Sequence, residues 1–437
     1  MLSNFKHHIS SNFPDLKGKK ILIACSGGLD SVVLSRLLKE LDYNVSLAHC
    51  NFSLREKESD EDEKFVISLA DKLSIPIFNK KFETEAYKIK HNLSTQVAAR
   101  NLRYQWFDEV CTEHSFDYLA TAHHLDDDLE TFLINLSRGT GLRGLTGIPI
   151  VNEKIVRPFL NFSREDILAY AEEKNVTWRE DSSNLETDYL RNKLRLDVIP
   201  NLKQAEGNLL KGFQKTNKHL NDSLSLIDDY MLLIKELVIL ETDEGIEIDI
   251  NKLQNLPNTK ALLYELLSSY GFTAWDDIVN LLDAQSGKQV YSEDYRLIKN
   301  RNVLLLVQKF NSNTDECYYI NKEDKSIESP ISLKIANVEK ISEYLPNTAY
   351  IDTDKLVFPL KLRKCLKGDY FFPFGMKGKK KLSKFFKDEK LSLVAKEKIW
   401  LLTSEEKIVW IIGMRTDNRF KVQNQSKNIL KITTLQN

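Results

Sequence analysis

Six consecutive residues, Ser26, Gly27, Gly28, Leu29, Asp30 and Ser31, have the types and spacing to hold a phosphate chain. Gly27 and Gly28 let the backbone turn tightly and come close to an anion. Successive N–H groups would converge on one concavity, and a helix starting there adds partial positive charge. Ser26 and Ser31 supply hydroxyl donors. Asp30 beside a phosphate makes sense with a cation between them, and Mg2+ is the usual bridge between a carboxylate and phosphate oxygens. No Gly-Lys-Ser/Thr follows the loop, and its glycines lack the GxGxxG spacing of dinucleotide sites. A pyrophosphate grip without a γ-phosphate lysine fits ATP chemistry that releases pyrophosphate and leaves an adenylate. A bare Ser-Gly-Gly turn needs no ligand; Asp30 and Ser31 make the pattern specific.

A second constellation runs from 121 to 147. His123 and His124 precede Asp126, Asp127 and Glu130, and Arg138-Gly139-Thr140-Gly141 follows. The acids are three or four residues apart and overlap on one helical face. Acids at a helix start complement its dipole, which accounts for one of them but not the set. Arg100, Arg103 and Tyr104 recur at i, i+3, i+4, and guanidinium forks suit phosphates, although a solvated salt-bridge face reads the same way. Arg191 and Arg195 sit in a basic stretch that would be unremarkable alone.

The surrounding elements explain how these residues could meet. Residues 20–25 form an apolar, β-branched run of the kind buried in parallel sheets. Helical spacing at 30–41, a strand at 45–49, a helix at 58–73 and a strand at 75–78 follow. Ser94 would cap a helix reaching about 114, then come a strand at 118–121 and a helix at 126–137. This alternation predicts a Rossmann-like, doubly wound parallel sheet. Beyond it, Ser163 with an acid three residues on starts a helix. Residues 188–199 form a basic helix closed by Pro200, and 208–241 one long helix. Helices at 259–270 and 275–283 and a strand pair at 296–307 complete a mainly helical middle block. After a linker at 311–314 the pattern is mixed: strands at 332–336, 360–363 and 408–412, and short helices at 382–386 and 395–398. The predicted architecture is α/β, with domains at 1–203, 204–313 and 314–437.

Composition is that of a soluble protein, with 42% hydrophobic and 29% charged residues. No apolar run nears the ~18 residues of a membrane span, and 1–20 lacks a signal-peptide core, so the cytoplasm is the expected compartment. Five scattered cysteines exclude a CxxC metal site and argue against a disulfide scaffold. From 331 to 437 there are 22 Lys and Arg against 11 Asp and Glu, whereas the whole chain carries −1. Such asymmetry sets a basic C-terminal region against a polyanion. Lys379, Lys380 and Lys381 lie in its densest part, with Phe385 and Phe386 close by.

Together these segments resemble the tRNA(Ile)-lysidine synthetases, members of the PP-loop ATP pyrophosphatases. The resemblance rests on SGGLDS at 26–31, AHCNFSLR at 48–55, ARNLRY at 99–104, TAHHLDDDLET at 121–131 and RGTGLRGLTGI at 138–148. RPF at 157–159, EDSSN at 180–184, RNKLR at 191–195 and the tail from Gly368 to Phe420 extend it. One departure is Phe52, where the family more often has histidine. The resemblance implies that ATP adenylates the wobble cytidine of a CAU-anticodon isoleucine tRNA and that free L-lysine then displaces AMP. Residues 26–31 would bind ATP, with Asp30 and Asp127 as Mg2+ ligands. Asp30, Asp126, Asp127, Glu130, Arg100 and His123 would be catalytic. Arg103, Arg138, Arg191, Arg195, Lys379, Lys380 and Lys381 would contact tRNA. A thiolase of the same family would need paired cysteines, which are missing. Oligomeric state stays open, with a homodimer compatible.

Overall fold

The computed structural model describes residues 1–54, 57–179, 190–309, 316–343, 345, 347–376 and 378–434. Arg55, the 180–184 motif, the start of the basic helix at 188–189, the 311–314 linker and Lys377 lie outside the described residues. The chain forms two compact units, Met1–Asp228 and Asp229–Asn437.

The first unit is built on six strands: β1 (Lys20–Ala24), β2 (Asn44–Asn51), β3 (Ile77–Lys81), β4 (Tyr118–Ala120), β5 (Val151–Asn152) and β6 (Ile155–Val156), in the order 3-2-1-4-6-5. All pairings are parallel except that of β5 with β6. The apolar run of β1 is buried on both faces. Ile21 and Ile23 enter one core cluster and Leu22 the other, the period-two alternation of a strand between two helical layers. Losing Leu22 to alanine would cost about 2–5 kcal/mol. The chain leaves β1 toward β2 and β3 and later returns to place β4 and β6 on the opposite side. The topological switch therefore lies between the carboxyl ends of β1 and β4, where open α/β sheets bind ligands.

Helix starts follow their capping chemistry. Ser94 Oγ accepts from Val97 N at 3.3 Å to open Thr95–Glu113. Ser163 and Asp166 form a reciprocal capping box for Arg164–Glu173. Pro200 does not close the basic helix. The chain runs Leu190–Lys193 as α-helix, widens into a π segment at Leu194–Val198, and continues as Ile199–Ala205. Pro200 closely follows the π segment, and the backbone at Val198 and Ile199 is already helical as the chain passes through it.

The helix Leu209–Val238 begins on the first unit's flank, where Phe213 packs with Leu125, Leu129 and Ile199. Beside this contact Asp128 is buried. Its Oδ1 accepts from Ile148 N at 2.6 Å and its Oδ2 from Asn217 Nδ2 at 2.7 Å. Gly147 must be glycine here: its φ is +73°, and a Cβ would sit 2.1 Å from Asp128 Oδ1. Asp128 thus ties a loop to the long helix.

The second unit contains a five-stranded antiparallel sheet: β7 (Ile239–Thr242), β8 (Gly245–Asp249), β9 (Gln289–Tyr291), β10 (Tyr295–Asn300) and β11 (Val303–Gln308), ordered 7-8-11-10-9. Helices Ile250–Gln254, Thr259–Leu267 and Trp275–Asn280 are inserted in it. The expected strand pair is β10–β11. The long helix stops at Val238, earlier than the sequence pattern predicts. Residues 239–242 instead pair with β8 across a turn whose Gly245 has φ +146°. After β11, two sheets pack face to face: Cys317–Ile320, Leu360–Arg363, Leu401–Ser404, Lys407–Ile411 and Arg415–Thr416 against Ser326–Ile327, Leu333–Val338, Thr348–Asp352 and Ile429–Thr434. Leu360, Leu402, Leu333 and Ile432, all fully buried, join one core from both.

Burial lifts the Asp128 carboxyl from its ordinary 3.8 to about 6, against the pull of its two donors. A group raised in the folded state stabilises fully below its unfolded value and loses that contribution as pH rises through the folded one. Melting temperature should therefore fall between pH 3.8 and about 6 on account of Asp128. Asp128→Asn should remove that component of the slope, while Asp128→Ala should cost about 1–3 kcal/mol at pH 7 by leaving two buried donors unpaired. Denaturant melts of the three proteins at pH 4, 5, 6 and 7 would check both.

Candidate active site

Residues 26–31 leave β1 and enter the helix Leu29–Glu40, with Gly28 at the N-cap. Gly27 has φ +91°, and a Cβ there would lie 3.2 Å from Val66, so this position needs glycine for both conformation and space. Gly28 N donates to Ser26 Oγ at 3.3 Å, and Ser31 Oγ donates back to Gly28 O at 3.0 Å. Behind the loop, His49 at the end of β2 is buried, with Nδ1 2.9 Å from Cys25 O.

Across the switch point, β4 ends at Ala120 and the chain passes through His123 and His124 into the helix Leu125–Ser137. His124 is buried at the centre of the acids. Its Nε2 lies 3.8 Å from Asp30 Oδ2 and 3.5 Å from Asp127 Oδ2, and its Nδ1 lies 3.8 Å from Asp126 Oδ2. One imidazole therefore links the phosphate loop to the acidic helix. His123 hydrogen-bonds Thr121 Oγ1 through Nδ1 at 2.9 Å. Burial, with Arg157 and Arg191 nearby and only Asp127 opposing, lowers His123 to about 4.

The three acids do not share one partner, because adjacent helical positions differ by about 100°. Asp126 turns toward the 164–203 segment. Its Oδ1 pairs with Lys203 Nζ at 2.6 Å and its Oδ2 accepts from Arg164 N at 2.9 Å. Asp127 and Glu130 share Arg195, whose Nη2 lies 2.8 Å from Asp127 Oδ1 and whose Nε lies 2.6 Å from Glu130 Oε1. Arg191 Nε lies 3.5 Å from Glu130, and its Nη2 donates to Thr131 Oγ1. Burial pushes the Glu130 carboxyl up, partly offset by Arg195. Burial also pushes on Asp127, but His124, His123 and Arg195 outweigh it and hold Asp127 low. Asp30 is raised, first by burial, with His124 opposing. Its Oδ1 is a buried oxygen with no hydrogen-bond partner, the environment a cation would satisfy. Among the described residues no three His, Cys, Asp or Glu side chains are grouped as a complete metal site. Asp30 and Asp127 would accordingly supply part of a Mg2+ shell, with phosphate oxygens and water completing it, as this ion prefers.

Arg100 stacks over Tyr104 at 4.8 Å, and Arg103 lies over Phe52 at 5.1 Å, both exposed on the helix Thr95–Glu113. Arg138 is exposed at the end of the helix Leu125–Ser137. Lys379 and Lys381 are exposed in the second unit, while Lys380 pairs with Asp388 at 2.7 Å. Sequence reasoning named Arg157 only within the RPF stretch and gave it no role; it is buried just past β6 with Nη1 donating to Pro149 O at 2.6 Å and with Tyr104 and Arg100 in its field. Its position at a strand's carboxyl end was the available signal. Lys203 gave none.

Comparison with known proteins fits this geometry. A PP-loop domain matches 1–202, a TilS substrate binding domain 241–309, and a TilS substrate C-terminal domain 360–432. A tRNA(Ile)-lysidine synthase of Parabacteroides distasonis is 39% identical over 95% of this chain and 96% of its own length. The chain belongs to the tRNA(Ile)-lysidine synthase family. Proteins of the same name from Bacteroides thetaiotaomicron, 40% identical over 95% of each chain, and Clostridium tetani, 31% identical over 95% of this chain and 94% of its own, are also similar to it. As expected of a PP-loop member, it uses ATP. Among the described residues, no helix is long and apolar enough to cross a membrane.

Gly27→Ala should weaken ATP binding by at least tenfold while lowering stability by only about 1 kcal/mol, since a left-handed φ costs about that much for alanine. Calorimetric titration with ATP alongside a thermal melt separates the two effects.

Proposed function

We propose that this chain joins free L-lysine to C2 of the wobble cytidine in an isoleucine tRNA with a CAU anticodon. The base's C2 oxygen attacks the α-phosphate of ATP and pyrophosphate leaves. The lysine ε-amine then attacks C2, AMP departs with the oxygen, and the amine loses its protons to a neighbouring base. Decoding changes from AUG to AUA. The observation that carries this reading is the crevice between β1 and β4, where His124 lies between Asp30 of the phosphate loop and the acids Asp126 and Asp127.

In this reading the 26–31 loop seats the pyrophosphate end of ATP. Mg2+ held in part by Asp30 and Asp127 would neutralise phosphate charge. Arg100 would stabilise the developing charge on the α-phosphate. His123 stays neutral near pH 7 and can accept a hydrogen bond or a proton. An ordinary lysine amine has a pKa of about 10.4, so it must shed a proton before it attacks. Asp126, Asp127 and Glu130 provide the carboxylates for that ammonium. Since Lys203 and Arg195 already occupy them, the arriving ammonium must replace an internal cation. The anticodon loop is single-stranded, so its base can be splayed out without opening a duplex. Arg103, Arg138, Arg191, Arg195 and Lys379–Lys381 are the proposed tRNA contacts, Arg195 also positioning Glu130. The working division is 1–203 for catalysis, 204–313 for substrate binding and 314–437 for gripping tRNA, in the cytoplasm.

The decisive assay is incorporation of labelled lysine into a tRNA transcript with ATP. Wild type should incorporate it with matching pyrophosphate release, and Asp30→Asn should lower the rate at least 100-fold. Incorporation that needs a sulfur donor, or none at all, would overturn the reading. Replacing Lys379 and Lys381 with alanine should weaken tRNA binding and lower the salt slope by about two.

A homodimer is part of the proposal. On the helix Leu209–Val238, Leu226, Tyr230, Leu233 and Leu237 are exposed by 71%, 42%, 65% and 46%. Their spacing of four, three and four residues is the seam of a coiled coil, on a different face from the buried Met231 and Ile234. Light scattering should give twice the chain mass for wild type and a single chain for Leu226→Lys/Leu233→Lys.

A further inference from the structure

The phosphate loop has a weakness that its own residues do not mend. Its turn depends on two glycines in succession, Gly27 and Gly28. The peptide joining them is trans, so the Gly27 carbonyl and the Gly28 N–H point in opposite directions. With no Cβ on either side, that peptide can rotate as a unit more easily than any other in the loop. In one orientation the N–H faces the Ser26 hydroxyl, which lies 3.3 Å from that of Ser31. In the other, the carbonyl oxygen would face the same space and repel an anion. Gly28 N donates to Ser26 Oγ, so the structure holds the first orientation.

What fixes it comes from outside the loop. Arg179 N donates to Gly27 O at 3.0 Å, on the far side of the peptide. A Cβ on Gly28 would stand 3.9 Å from Arg179 O, so the backbone of residue 179 runs against both glycines. Arg179 follows the helix Arg164–Glu173 and is itself anchored. Val176 N donates to Ala171 O at 2.8 Å, and Trp178 packs against the core of the first unit. The Arg179 guanidinium reaches the helix Lys57–Leu73, Nε donating to Asp62 Oδ1 and Nη2 to Glu61 Oε2 at 3.1 Å. Asp62 and Val66 are one turn apart on the same face of that helix. Val66 is the side chain that closes the space beside Gly27. One helix thus supports the loop twice, directly through Val66 and, by way of Asp62, through Arg179. A partly exposed ion pair adds little to global stability, so its loss should be felt at the loop rather than in the melt.

We infer that residues 176–179 form a strap that fixes the Gly27–Gly28 peptide with its N–H toward the phosphates, and that Arg179 and Asp62 are positioning residues for the pyrophosphate grip. The inference rests on the reading that 26–31 seats the pyrophosphate end of ATP, and it adds what keeps that seat in shape. Neither side chain needs to touch the nucleotide.

Binding of pyrophosphate and of AMP to the full-length chain, measured by calorimetric titration in Mg2+ buffer, tests this. Arg179→Ala and Asp62→Ala should each weaken pyrophosphate binding about tenfold, the lower end of what a hydrogen bond to a charged group contributes. AMP, which ends at the α-phosphate, should bind both variants as it binds wild type. The double variant should lose no more than either single one, because both act through the same bond. Arg179→Lys, which can still meet Asp62, should recover most of the loss, whereas a folding defect would extend to AMP. Unchanged pyrophosphate affinity in Arg179→Ala would overturn the strap. So would losses that add in the double variant, or equal weakening toward AMP. A loss in Arg179→Ala with none in Asp62→Ala would also overturn it, since that pattern puts the guanidinium directly on the phosphate. Failure of the loop reading itself would look different: wild type would bind no pyrophosphate at all.

Discussion

Asp30, Asp126 and Asp127 converge on one buried imidazole at the mouth of the parallel sheet, with Glu130 close by on the same helix, and the mutual repulsion of these four carboxylates is the constraint the rest of the first unit answers. Asp30 comes from the loop after β1; Asp126, Asp127 and Glu130 come from the helix after β4. Packed together without counter-charge, they would take up protons or push the helix away. Lys203, Arg195 and Arg191 prevent this. Every one of the three arrives from the segment between 190 and 205, distant in sequence from the acids. The site is therefore assembled by tertiary folding, and its charge balance belongs as much to that segment as to the loop.

The same constraint explains what the sequence revealed. The loop was legible because a backbone anion site needs particular residues at fixed offsets: Gly27 for its φ, Ser31 for its hydroxyl, Asp30 for a cation. The sheet was legible because β1 has to be apolar on both faces. His124 was visible as a residue but not as the hub, since nothing in a linear pattern tells which of two adjacent histidines turns inward. Arg195 was visible as one charge in a basic stretch, and only folding brings its fork onto Asp127 and Glu130. Lys203 follows Pro200 closely enough that a helix stop at the proline hid it.

Asp128 illustrates a different limit. It sits among catalytic-looking acids, one position from Asp127, and burial raises its carboxyl to about 6. Yet both its oxygens are occupied by Ile148 N and Asn217. A perturbed carboxyl beside an active site can be a structural tie, and its hydrogen-bond partners reveal this sooner than its titration does.

The π segment at Leu194–Val198 gives the arrangement a further property. A π turn accommodates one residue more than an α turn over the same rise. Arg195 lies within that widened turn, so its reach toward Glu130 depends on chain length as well as on residue type. Shortening the segment by one residue would leave every functional side chain in the sequence, yet turn all that follows by about 100°. Lys203 would then leave Asp126 while Arg191, upstream, kept its place. The two halves of the cationic shell are thus keyed to each other by a count of residues, which makes this short stretch intolerant of insertion or deletion even where it would accept substitution.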